Sequence, residues 1–226
     1  MFAGPGARGS GVREGFHGQL TAIRGALADM TDTAATAMER ATVALLGADL
    51  AVAEGVSEQA TRLDAARRVV EDQTYEVLAL QQPVASDLRT MVMAIKVGGD
   101  IHRMGTLAQH VAKVAVRRHP GYAVPDELFP LIRKMGDVAV RMAQSAGAVL
   151  HSTDAADAGR LAIDDDAMDG LRRALFRTLL DSWPYGVESA IDMALLGRYY
   201  ERFADHAVAI ADGVVYLVTG ELPKEL

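Results

Sequence analysis

Residues 200–207, Tyr-Glu-Arg-Phe-Ala-Asp-His-Ala, place two carboxylates four residues apart in an otherwise apolar stretch with helical spacing. Positions i and i+4 share one face of a helix, so Glu201 and Asp205 point in the same direction. A second pair with the same spacing, Asp165 and Asp169, lies upstream. The fold of this part of the chain therefore depends on how two helical segments with acidic faces meet.

A Trp-Pro-Tyr-Gly motif, which is typical of a turn, separates the two acidic pairs. In an antiparallel helical hairpin, residues that face each other are equally far from the turn. A hairpin folded at about Tyr185 sets Asp165 opposite Asp205 and Asp169 opposite Glu201, because both pairs are centred on residue 185. The sequence therefore predicts that four carboxylates converge on one spot.

The composition favours helices throughout the chain. Half of the 226 residues are hydrophobic but only 5% are aromatic, so the core is supplied mainly by Ala, Leu, Val and Met, which suit helices better than strands. Turn signals divide the chain into six helical stretches, at about 14–46, 49–82, 84–119, 126–151, 154–182 and 186–219. Most exceed the average helix of about 11 residues, which predicts an all-α fold of six long helices packed as bundles.

The six predicted helices fall into two sets of three. A shift of 105 residues places Asp64 on Asp169, and a shift of 99 residues places Arg103 on Arg202. We therefore predict two pseudo-repeated three-helix bundles side by side. The predicted boundaries are a flexible leader at 1–13, a first repeat at 14–120 and a second repeat at 121–222.

The first repeat obeys the same hairpin geometry but lacks the acidic quartet. Ala60, Asp64, His102 and Thr106 occupy the equivalent positions, and their facing pairs are centred on Pro83, a residue that breaks helices. Only the second repeat therefore has the ligands for a hard cation.

Four converging carboxylates repel one another, and a cation would relieve that repulsion. Carboxylate oxygens suit a divalent or transition metal ion such as Mg²⁺, Mn²⁺, iron or Zn²⁺, and the identity of the ion is left open. The predicted ligands are Asp165, Asp169, Glu201 and Asp205. The competing interpretation is that these carboxylates pair with arginines on a solvated face, namely Arg172, Arg173, Arg198 and Arg202.

Several classes of function are disfavoured by the sequence. The net charge of −7 and the lack of a basic stripe argue against nucleic acid as a partner. There is no cysteine, hence no disulfide framework or thiolate site, and no Gly-flanked serine nucleophile. No apolar run approaches the roughly 18 to 20 residues that cross a bilayer.

Three segments, at 82–89, 196–207 and 215–221, resemble the PhoU family of phosphate-transport accessory and regulatory proteins, and the resemblance extends over about 14–222. This family has two pseudo-repeated three-helix bundles with Glu/Asp-x-x-x-Asp metal motifs on neighbouring helices. Asp165 and Asp169 match the motif of the fifth helix, while Glu201 and Asp205 match that of the sixth. The first repeat departs from the motif, as in actinobacterial members, which implies one competent metal cluster and one degraded or absent.

The resemblance implies a cytoplasmic regulator, and not an enzyme, that negatively regulates phosphate uptake and keeps the phosphate-starvation response off. Its implied partners are a phosphate ABC transporter at the inner membrane face, to which it binds peripherally, a sensor histidine kinase and a second copy of itself in a homodimer. One alternative is a metal-free helical adaptor. A ferritin-like carboxylate metal protein is disfavoured, because Glu-x-x-His spacing occurs only at Glu14 and His17.

Overall fold

The computed structural model describes residues 7–152, 155–181 and 183–220, with side chains for 16–152, 161–181 and 183–220. Over this part of the chain the protein is all-α, as predicted. A single 3-10 turn, Asp126–Leu128, precedes the fourth helix. The six helices are α1 (Ala7–Gly47), α2 (Leu50–Gln81), α3 (Ser86–Arg118), α4 (Phe129–Ser152), α5 (Ala155–Asp181) and α6 (Gly186–Thr219).

Helix α1 begins earlier than the sequence predicts. It starts at Ala7, inside the segment 1–13 that was expected to be a flexible leader, and residues 1–6 lie outside the described part. Gly9 and Gly11 each cost a helix only about 1 kcal/mol relative to alanine, and no proline interrupts the helix after Ala7. The glycines therefore do not stop the helix.

The two three-helix sets pack side by side through α1 against α4 and α3 against α6. Between α1 and α4, Gly136 lies against Thr42 while Gly147 lies against Thr31, so the two helices are antiparallel. A shift of 105 residues places Thr31 on Gly136 and Thr42 on Gly147, so the two contacts are equivalent under the repeat. The two repeats are therefore related by a pseudo-twofold axis, which confirms the predicted two-repeat architecture.

Helices α3 and α6 are antiparallel as well. Met93 packs against Gly213, and nearer the middle of both helices Asp100 meets His206. At the far end of α3, the buried carboxylate of Asp192 accepts hydrogen bonds from Arg117 and Arg118 at 2.6 and 2.5 Å. These ion pairs join the start of α6 to the end of α3.

Gly136 is required for the close approach of α1 and α4. A Cβ atom added there would lie 2.7 Å from both Oγ1 and Cγ2 of Thr42. Thr42 cannot move aside easily, because its hydroxyl is 2.9 Å from the Met38 carbonyl and 2.8 Å from the buried hydroxyl of Tyr200. The contact therefore couples α1, α4 and α6.

We expect Gly136→Ala to lower the free energy of unfolding by about 1–3 kcal/mol, because the added methyl overpacks a fixed contact. Gly25→Ala on α1 is the matched control, since a Cβ there meets nothing within 4 Å. That control should stabilise the helix by up to about 1 kcal/mol. Urea unfolding of both variants checks the prediction, and two variants of equal stability would contradict it.

None of the described helices contains an apolar window long enough to cross a membrane.

Candidate functional site

The hairpin between α5 and α6 turns where the sequence predicts. Trp183 donates its indole N–H to the carbonyl of Gly186 at 2.9 Å, and its ring meets that of Tyr185 edge-on. Gly186 has a φ of +79°, a conformation that glycine adopts without a steric penalty. The turn thus starts α6 in the direction that returns it along α5.

In the structure the predicted acidic residues are near enough for their charges to act on one another. Burial raises the pKa of Asp165 above its ordinary value, and the negative charges of nearby carboxylates raise it further. Asp205 on the facing helix has the largest of these charge effects, ahead of Asp169, and Glu201 also contributes. This ranking agrees with the predicted register, in which Asp165 and Asp205 face each other.

Asp205 experiences the same conflict of charges. Burial is the main cause that raises its pKa, and the negative charge of Glu201 adds to it. Arg202 acts in the opposite direction, because its guanidinium donates a hydrogen bond to Oδ2 of Asp205 at 3.1 Å. Asp165 and Asp205 therefore repel each other, and Arg202 relieves this repulsion only partly.

Arginines also pair with the other two carboxylates. Glu201, whose side chain is 13% exposed, lies 2.5 Å from Arg198 and 3.5 Å from Arg172. Asp169 lies 3.5 Å from Arg173. These are the pairings of the competing interpretation made from the sequence.

Within the described residues, no three carboxylate or imidazole groups are close enough to hold one metal ion. Three of the four carboxylates, those of Asp169, Glu201 and Asp205, pair with arginines instead. The donor set itself suits a hard cation, since carboxylate oxygens are the ligands that such ions prefer and the negative charges of Asp165 and Asp205 already repel each other. A bound cation would have to displace arginines, Arg198 and Arg172 from Glu201 above all.

The equivalent position in the first repeat is neutralised by protein cations. Nε2 of His102 lies 3.6 Å from Oδ1 of Asp64, which confirms the hairpin register predicted from Pro83. Arg67 and Arg68 donate to the same carboxylate at 3.2 and 2.8 Å. The hydrogen bond from Arg67 is the main cause that lowers the pKa of Asp64.

One polar contact at the centre of the molecule was missed by the sequence analysis. Nδ1 of His206 lies 3.0 Å from Oδ1 of Asp100, which links α6 to α3 between the two repeats. The other oxygen of Asp100 is buried and has no hydrogen-bond partner among the described residues. The hairpin register relates only neighbouring helices, so it gives no signal for a pair between the repeats.

The raised pKa values of Asp165 and Asp205 predict a pH dependence for the metal-free protein. The folded state binds these protons more tightly than the unfolded state, so stability falls as pH rises through the interval from the ordinary carboxyl pKa to the raised one. Conversely, mild acid should favour folding at this site. Replacing both residues with asparagine should remove this contribution.

Urea unfolding in the presence of a chelator, from about pH 7 down to about pH 4, checks this effect. The wild-type protein should gain stability relative to the Asp165→Asn/Asp205→Asn variant as the pH falls. Parallel curves for the two proteins would contradict the prediction.

A family model described as the PhoU domain matches the chain twice, at residues 27–115 and 132–214. The two matches are offset by 105 residues at their start and by 99 at their end, which are the two shifts that relate the repeats. The family model and the internal repeat thus divide the chain in the same way.

Curated relatives match almost the whole chain. A protein of Mycobacterium tuberculosis, phosphate-specific transport system accessory protein PhoU homolog 2, is 46% identical over 94% of this chain and 100% of its own length. PhoU homolog 1 of Mycobacterium leprae is 45% identical over 95% of this chain and 97% of its own length.

A solved structure shows the same fold. The crystal structure of PhoU from Pseudomonas aeruginosa covers 91% of this chain and 100% of its own, with a TM-score of 0.83 and 28% identity. The six-helix arrangement is therefore shared with a protein that is only distantly similar in sequence. On these matches the chain belongs to the PhoU family, as an actinobacterial-like member.

Proposed function

We propose that this protein is a phosphate-responsive regulator. It negatively regulates phosphate uptake and the phosphate-starvation response by coupling a phosphate ABC transporter to a sensor histidine kinase. The observation that carries the proposal is the 46% identity to the mycobacterial accessory protein over that protein's full length. Relatives are named as accessory proteins rather than enzymes, which supports a regulatory and non-catalytic role.

The regulator works from the cytoplasm, as a homodimer held at the membrane by its partners. The absence of a membrane-spanning window from the described helices is compatible with this location. Association with the transporter follows from the relatives' names, and the kinase link and the homodimer are further parts of the proposal.

The acidic quartet is proposed to hold a divalent or transition metal ion through Asp165, Asp169, Glu201 and Asp205. A bound cation would neutralise the repulsion between Asp165 and Asp205 and fasten α5 to α6. Arg172, Arg173, Arg198 and Arg202 take part of this role when no cation is bound. Their pairing with the carboxylates is the observation that favours the second candidate, a metal-free helical adaptor.

Gene deletion tests the regulatory role. The M. tuberculosis relatives include PhoU homologs 1 and 2. The experiment therefore starts from a strain of the host in which the genes for any other PhoU homologues have been deleted. Deleting the remaining gene should switch on a phosphate-starvation reporter in phosphate-rich medium, and the wild-type gene should switch it off again. A reporter that stays off after deletion would overturn the proposal. Complementation with the Asp165→Asn/Asp169→Asn variant separates the two candidates. The reporter should stay on if the regulator needs the metal, and it should switch off if the protein is a metal-free adaptor.

A further inference from the structure

Helices α3 and α6 lie side by side and expose matching stripes of side chains. We name this surface the α3/α6 face. The 99-residue shift that relates the repeats places Leu88, Val92, Lys96 and Arg103 on Val187, Ile191, Leu195 and Arg202. Its exposed members are Leu88, Val92, Lys96, Arg103, Lys113 and Arg117 on α3, and Val187, Ile191, Leu195, Arg198 and Arg202 on α6.

Six exposed cationic side chains lie on this face, although the whole chain has a net charge of −7. Three of them, Arg117, Arg198 and Arg202, pair with Asp192, Glu201 and Asp205. Lys96, Arg103 and Lys113 supply the rest of the positive charge. The centre of the face carries Arg103 and Arg202, which are equivalent residues of the two repeats. The contact between Asp100 and His206 fixes the register of the two helices and sets these arginines beside each other across the pseudo-twofold axis. An acidic partner surface would complement this centre.

Each end of the face carries a pair of exposed apolar side chains. Leu88 and Val92 are 42% and 55% exposed, and their counterparts Val187 and Ile191 are 77% and 53% exposed. Because the helices are antiparallel, the pairs lie at opposite ends, about 35–45 Å apart along the helix axes. Exposed apolar groups at equivalent positions of both repeats indicate two equivalent contact sites.

We propose that the α3/α6 face docks a twofold-symmetric protein of the phosphate transport system. The partner would present an acidic surface to the centre of the face, and each of its two identical subunits would present an apolar recess to one end. The inference rests on the proposed function and adds the surface and the symmetry of the partner. The pseudo-twofold axis of this chain would align with the twofold axis of the partner. Both apolar pairs would then bind at once, so that each strengthens the other.

Two other occupants fit the face less well. A second copy of this chain, docked face to face, would bring Arg103 and Arg202 against the same arginines, and opposed like charges weaken association. An anionic membrane is uniformly negative, whereas the face also contains the half-buried carboxylates of Asp205 and Asp212. A protein partner can present acidic groups to the arginines and basic groups to Asp205 and Asp212.

The test measures binding of the full-length chain to the host's detergent-solubilised phosphate transport complex, immobilised on a sensor. Leu88→Asp/Val92→Asp changes one end of the face, and Val187→Asp/Ile191→Asp changes the other. The matched control is Val43→Asp/Val69→Asp, because these valines are 53% and 55% exposed on α1 and α2, away from the face. Circular dichroism verifies that each variant is folded.

We expect each end variant to weaken binding by about 100-fold through loss of bivalency, and the control to change it by less than about twofold. Lys96→Glu/Arg103→Glu should also weaken binding, and the loss of affinity should be larger at low salt than at high salt. Binding should reach one chain per two identical partner subunits.

The outcomes separate the inference from the proposed function. A wild-type chain that does not bind the complex overturns both. A wild-type chain that binds, with end variants that bind equally well, overturns only the assignment of the face. Loss of binding at one end alone overturns the twofold arrangement. Binding to phosphatidylglycerol vesicles that is lost in Lys96→Glu/Arg103→Glu would assign the face to a membrane, and a dimer disrupted by the end variants would assign it to a second copy.

Discussion

The double variant Glu201→Gln/Asp205→Asn is expected to lose the metal that the wild-type protein retains after loading with Mn²⁺, Fe²⁺, Zn²⁺ or Mg²⁺. These substitutions keep the shape of both side chains but remove two of the four negative charges that make a cation favourable at this site. Asp165 and Asp169 would then remain on α5 without anionic partners on α6. Elemental analysis of the untagged proteins after gel filtration measures the difference.

The equivalent change in the first repeat provides the control. Asp64→Asn/His102→Ala should leave metal content unchanged, because Arg67 and Arg68 already neutralise the carboxylate of Asp64. Equal loss in both double variants would contradict the assignment of the metal to the second repeat. A wild-type protein that retains no metal after loading with any of the four ions would favour the metal-free adaptor.

Phe203→Ala is expected to lower the free energy of unfolding by about 3–5 kcal/mol. The ring of Phe203 is fully buried on α6, in the same stretch as Glu201 and Asp205, and its removal leaves a cavity that the surrounding helices cannot close. Against a total stability of about 5–15 kcal/mol, this loss is large. Urea unfolding followed by circular dichroism gives the value.

Two companion variants identify the cause of that loss. Phe203→Leu keeps most of the buried volume and should cost much less than the alanine variant. Phe176→Ala removes a ring that is only half buried on α5 and should also cost less. If Phe203→Ala costs no more than Phe176→Ala, the core does not depend on this ring as the structure implies.

The sequence alone determined the helices and the geometry of each hairpin. Turn residues end helices locally, and two helices joined by a short turn must return along each other, so the register follows from the position of the turn. The 3.6 Å approach of His102 to Asp64 agrees with the register predicted around Pro83. The rank of Asp205 as the largest charge effect on the pKa of Asp165 agrees with the register predicted around Tyr185. The internal repeat was also visible in the sequence, because both repeats kept these spacings.

Only the tertiary structure decided which partners the polar groups meet. The sequence left open whether the quartet pairs with arginines, and the structure shows Glu201 between Arg198 and Arg172. The contact of Asp100 with His206 joins residues of different repeats, as does the ion pair at Asp192. Helical periodicity identifies the face on which a side chain lies, but the packing of the repeats determines which face it meets.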